Sequence, residues 1–97
     1  MALYVSLVNF TEKGIHAVKD SVKRSDAFKK MAKEHGATVK DIIWTQGAYD
    51  IVTVIEAPDD ETAAVVMLSV AKLGNVRGQT LRGFAAAEMQ KILDKVG

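Results

Sequence analysis

Cysteine is absent from the 97 residues, which removes disulfides, thiolate metal sites and a cysteine nucleophile, and fits a reducing compartment. Proline occurs once and glycine seven times, too few for a fibre or a low-complexity chain. Neither sign of charge dominates: 13 Lys and Arg against 12 Asp and Glu leave +1, so no long-range field draws the chain towards nucleic acid or an anionic membrane. The longest apolar run, Ala63 to Leu68, is six residues, far short of the ~20 that span a bilayer. The first ten residues, MALYVSLVNF, lack the basic region and cleavage pattern of a signal peptide, so a soluble, cytoplasmic protein is expected. No Gly-x-Ser-x-Gly, phosphate loop or Gly-x-Gly-x-x-Gly occurs, which leaves nucleophilic and nucleotide-dependent chemistry without a motif. Only His16 and His35 are available as imidazoles, on different helical segments and without short ligand spacing; no metal and no cofactor are expected.

What is present is the composition of a globular domain, 48% hydrophobic and 26% charged, long enough for one core and no second module. Residues 1–97 are therefore read as a single domain. Residues 3 to 10 alternate, with Leu3, Val5 and Leu7 on one face and Tyr4, Ser6 and Val8 on the other, as in a half-buried strand. Thr11 is a candidate N-cap for a helix carrying Ile15, Val18 and Val22. At ~100° per residue these three lie roughly 120° from the stripe of Phe28, Met31, Ala32 and His35. One straight helix cannot bury both stripes, so the spacing predicts a break near Arg24-Ser25, with Ser25 as a new N-cap and Gly36 as the end.

Residues 37 to 46 and 48 to 57, joined at Gly47, read as an antiparallel hairpin. Pro58-Asp59 stops the second strand, and Asp59, Asp60 and Glu61 open a helix that ends at Gly74. That helix is apolar nearly all round, so it needs cover on a second side. Residues 75 to 85 form a fourth strand, and a short helix with Met89, Ile92, Leu93 and Val96 on one face follows. The order β-α-β-β-α-β-α fits an α+β, ferredoxin-like domain with an extra C-terminal helix and both main helices on one side of the sheet. The other side then carries an apolar patch that a second copy can cover, giving a dimeric α/β barrel and a homo-oligomer, dimer or higher.

Several polar residues on the strands have both a structural and a functional reading. Asp50 accepts backbone amides near the hairpin, or serves as a general base or ligand anchor. Tyr49, its neighbour, points to the other face of a regular strand, so the two line one cavity only through a bulge. Arg77 and Arg82 form salt bridges, or one of them clamps an anionic group; their odd and even numbering separates them unless Gly78 marks a bulge. Trp44, with Asn9, resembles the aromatic and amide groups of cofactor-independent monooxygenases, although a tryptophan on a strand also serves core or interface. Tyr4, Ser6 and Thr80 complete the ligand-binding candidates. The basic residues from Lys13 to Lys33 are interleaved with Glu12, Asp20, Asp26 and Glu34, which makes them a solvated face rather than a nucleic-acid surface.

The segments TQGAYDIV, EAPDD and LGNVRGQTLRGF, with YVSLVNFTEKGI before them and AAAEM after them, resemble the GYD-domain family, whose Gly-x-Tyr-Asp motif is here Gly47-Ala48-Tyr49-Asp50. The resemblance implies the dimeric α/β barrel fold and assigns no activity. Three functions stay open: a sensor or accessory protein binding a small anionic or aromatic metabolite between subunits, a cofactor-independent oxygenase or isomerase with Asp50 as base and Trp44 as cavity wall, and a structural domain without a ligand. Neither nucleic acid nor membrane is an expected partner.

Overall fold

The computed structural model describes residues 1–97 as β1 (Ala2–Phe10), α1 (Glu12–His16), a 3-10 turn (Val18–Asp20), α2 (Ser21–Glu34), β2 (Thr38–Trp44), β3 (Ile51–Ala57), α3 (Asp60–Ala71), β4 (Val76–Gly83) and α4 (Ala86–Leu93). The four strands form one antiparallel sheet in the order β2-β3-β1-β4, the ferredoxin-like arrangement expected from the element order. β1 is central, with Leu3 facing Glu56 on one side and Gly83 on the other.

The alternation of β1 sorts the two faces. Tyr4, Ser6 and Val8 are buried. Tyr4 joins Ile55 and Ala57 of β3, Phe28 and Ala32 of α2, and Ala63 and Val66 of α3 in one core. The alanines let α2 and α3 lie close to the sheet. Ile55 and Val66 are fully buried, each contributing about 1.5–3 kcal/mol relative to an exposed side chain. Leu3, Val5 and Leu7 point the other way, beside Val52 and Val54 of β3 and Leu81 of β4, while the helices gather on the Tyr4 side.

Two irregularities follow from packing. Val39 and Ile42 both pack against the core, yet a spacing of three puts residues on opposite faces of a regular strand. The register shift between Val39 and Asp41 resolves this by inserting Lys40, whose ammonium then lies 3.0 Å from Glu56. The helical break comes at Ala17 rather than near Arg24-Ser25. α1 is pinned to the start of β4: the Thr11 amide donates to the Asn75 carbonyl (3.0 Å), the Thr11 hydroxyl to Gly74 O (2.5 Å) and Lys13 Nζ to Leu73 O (2.7 Å). α2 lies across the sheet, so the chain bends between them, at φ −106° and ψ 28°. Ser25 is no cap; its hydroxyl donates to Val22 O (2.6 Å) inside α2.

α3 begins where Asp59 accepts the Thr62 amide (2.8 Å) and is followed by Gly74 at φ +84°, a left-handed conformation that favours glycine. Its outer side leaves Leu68 68% exposed, and Met89, Ile92 and Leu93 of α4 are also exposed. The radius of gyration, 14.5 Å, exceeds the ~12.5 Å of a compact chain this long. No helix is long and apolar enough to cross a membrane.

Candidate functional site

The sequence-predicted residues fall into separate groups. The hairpin turn holds Tyr49 and Asp50. Asp50 is tied to β1 twice: its carboxylate accepts the Phe10 amide (2.9 Å) and its own amide donates to Val8 O (2.9 Å). Across the turn, Thr45 N donates to Asp50 O (2.8 Å) and the Thr45 hydroxyl to Tyr49 O (2.6 Å). Gly47, at φ +111°, lets the turn close. The Tyr49 hydroxyl accepts from Gln79 Nε2 (3.1 Å). By register Gln79 stands opposite Leu7, so Tyr49 reaches the uncovered face.

A second group lies where β1 and β4 meet α3 and α4. Tyr4 donates its hydroxyl proton to Asp60 (2.5 Å), and this bond to a carboxylate holds the Tyr4 pKa above its ordinary value. Arg82 stands opposite Tyr4, its guanidinium carbon 5.7 Å from the Tyr4 ring centre and 4.7 Å from that of Phe84. It donates to Glu88 (3.1 Å) and to the Gly83 carbonyl, and the hydrogen bond from Arg82 lowers the Glu88 pKa. The Ser6 and Thr80 hydroxyls share a 2.9 Å hydrogen bond. The β1–β4 register runs without a shift through Gly78, placing Arg77 opposite Asn9 and hence on the other side from Arg82. Ser6, Arg77 and Thr80 border a small recess of about 140 Å³ between α3 and β4.

Trp44 belongs to a third place, which the sequence did not single out. Between α2, α3 and the covered side of the sheet lies a cavity of about 280 Å³. Phe28, Met31, Ile42, Met67 and Val70 line it, with Trp44 at the side. Trp44 Nε1 donates to the Ser21 hydroxyl (2.8 Å), so its polar atom is satisfied. Two others are not: Thr53 Oγ1 and Arg24 Nη2 are buried without a hydrogen-bond partner in the protein. Arg24 and Thr53 escaped the sequence reading because one lies in a run of charged helical residues and the other is a routine strand residue. His16 lies 4.0 Å from Glu12 on the exposed surface of α1, His35 follows the last turn of α2, and no three His, Cys, Asp or Glu side chains come together as a metal site would require.

A curated relative from Thermus thermophilus, named glutamine synthetase and cystathionine beta-lyase binding protein, is 29% identical over 90 residues, covering 92% of this chain and 95% of its own. A crystal structure of a protein from the same organism matches 89% of this chain and 96% of its own with a TM-score of 0.58 at 23% identity, a likeness of fold. The GYD domain family model matches residues 4–93, a span that contains the motif Gly47 to Asp50 and every group just described, and the chain belongs to the GYD domain family.

Proposed function

We propose that this GYD domain is a cytoplasmic, non-enzymatic accessory protein that acts by binding other proteins, assembled as a homo-oligomer and responsive to a small anionic or aromatic metabolite. The observation that carries the reading is the amount of apolar surface the fold leaves without cover: Leu81 and Ile43 on the bare sheet face, Leu68 on α3, and Met89, Ile92 and Leu93 on α4 are all exposed. A single chain seldom leaves this much apolar surface in water. The relative's name, a binding protein for two enzymes, supports the same reading.

Size divides the surface between uses. Four strands about 4.8 Å apart and seven residues long give the bare face roughly 400 Å² of flat area, about half of the ~800 Å² per partner in a standard interface. A second copy on the sheet face therefore needs further surface beyond the strands to complete the contact, and the outer side of α3 remains for a partner enzyme.

An oxygenase or isomerase with Asp50 as base receives less support, because that carboxylate already accepts the Phe10 amide and lies outside the cavity holding Trp44. The test is native mass spectrometry and light scattering on the wild type and on Leu81→Glu, followed by co-elution with purified glutamine synthetase and cystathionine beta-lyase. The expected result is a wild-type oligomer that Leu81→Glu dissociates, with Leu68→Glu weakening enzyme capture while leaving the oligomer whole. A monomeric wild type that captures neither enzyme overturns the reading.

A further inference from the structure

The cavity under α2 and α3 has apolar walls, and two of the residues lining it each carry a buried polar atom without a hydrogen-bond partner in the protein, Arg24 Nη2 and Thr53 Oγ1. We propose that it is a site within each subunit for a small apolar monocarboxylate, with Arg24 taking the carboxylate and Thr53 a second polar atom of the ligand. The proposal rests on the metabolite-responsive reading above and gives the metabolite a class and a place.

Charge selects the ligand's sign. Arg24 is the one charged residue lining the cavity. It makes no salt bridge; its single protein hydrogen bond runs from Nη1 to the Ala17 carbonyl (3.0 Å), which leaves Nη2 buried and unpaired. A guanidinium offers five N–H donors in a fixed fork, and a carboxylate is the small group that matches them best. An ammonium ligand would meet only this cation.

Burial places the second contact. Thr53 is 6% exposed, on the strand that floors the cavity. Arg24 aside, its hydroxyl is the most deeply buried polar atom left free: among the other polar residues lining the cavity, Ser21 accepts from Trp44, Ser25 is turned to Val22 O, and Ser69 and Asn75 are only half-buried.

Volume sets the size. About 280 Å³ is the liquid volume of roughly nine waters, which suits a ligand of about ten non-hydrogen atoms and lies near the lower end of ordinary ligand pockets. The walls supplied by Phe28, Met31, Ile42 and Met67 suit an aromatic ring or a branched aliphatic body.

The probes are phenylacetate and 4-hydroxyphenylacetate, with phenylacetamide as the neutral control, titrated by calorimetry into the full-length protein. Saturable binding of both acids at one per chain is expected, with phenylacetamide at least tenfold weaker. Arg24→Gln should weaken both acids at least tenfold and Arg24→Lys by less; Thr53→Val should weaken 4-hydroxyphenylacetate severalfold and leave phenylacetate near its wild-type affinity. Met31→Trp, which fills the cavity from α2, should abolish binding even if an arginine variant folds poorly. Absence of saturable binding for both acids, equal affinity for the amide, or undiminished binding by folded Arg24→Gln overturns the site. Oligomer mass and enzyme capture are read on the same samples. An intact oligomer that captures enzymes and ignores the acids overturns the cavity site alone, whereas acid binding by a monomer that captures nothing overturns the accessory reading alone.

Discussion

Replacing Thr53 by valine should stabilise the ligand-free protein. The side chain is 6% exposed and its hydroxyl has no partner in the protein, so folding strips it of water without a compensating protein hydrogen bond. Such a group costs about 1–3 kcal/mol. Water entering a cavity of this size recovers part of that, which puts the expected gain near the lower end, about 1 kcal/mol. β-propensity does not oppose it, because valine and threonine both favour strands. For a domain of this length a gain of ~1 kcal/mol raises Tm by roughly 4–8 °C. Urea unfolding is the assay, at one fixed protein concentration because assembly shifts apparent stability. A loss of about 0.5–1.5 kcal/mol, the net worth of a satisfied hydrogen bond, would refute the reasoning by showing that Oγ1 is paired in the free protein.

Gly14→Ala tests whether the pinning of α1 to β4 is tight: an added Cβ would lie 1.9 Å from the Asn75 carbonyl oxygen. Helix propensity alone predicts a gain of about 1 kcal/mol, whereas overpacking by ~1–3 kcal/mol and a strained Thr11-to-Asn75 hydrogen bond predict a net loss in urea melts. Asp50→Ala should cost about 1.5 kcal/mol by removing a charged acceptor from the Phe10 amide, and hydrogen exchange at Phe10 should quicken; unchanged exchange would free Asp50 for another role. Asp59→Asn keeps the cap on α3 but not its titration. The two hydrogen bonds from Thr62 hold the Asp59 pKa below 3.8, so its contribution is present above pH 3.8 and fades as pH falls through the folded-state pKa. The acid limb of a pH–Tm curve should therefore be flatter in Asp59→Asn than in the wild type.

Elements were readable where a local rule and the tertiary fold agreed. The alternation of Leu3 to Val8, the cap at Asp59 and the left-handed Gly74 each signal their element from neighbouring residues alone. The break between α1 and α2 was readable as a necessity but not in position. Two apolar stripes demanded it, while its place at Ala17 is set by what Thr11 and Lys13 bind some sixty positions away. Ser25 looks the same in sequence whether it caps a helix or donates to Val22 O within one. The cavity was hidden for a related reason. Arg24, Thr53 and Val70 come from separate elements, and an unpaired hydroxyl or guanidinium is defined by what fails to pack beside it. Trp44 stood out because a lone tryptophan does, and it proved to border the place where those two groups lie.

The central position of β1 has a consequence for how the chain is made. Of the four strands, β1 leaves the ribosome before the others, yet its two neighbours are the third and fourth: Leu3 pairs with Glu56 and with Gly83. At roughly 5–20 residues per second, β4 follows β1 by about 4–15 s, and until then Leu-Tyr-Val-Ser-Leu-Val has at least one open edge and no finished core to hold it. Because both pairings of β1 are distant in sequence, and only the β2–β3 hairpin is local, the sheet forms slowly for so short a chain. A synonymous change that slows translation through residues 76–83 would prolong the exposure of that edge without altering a single side chain.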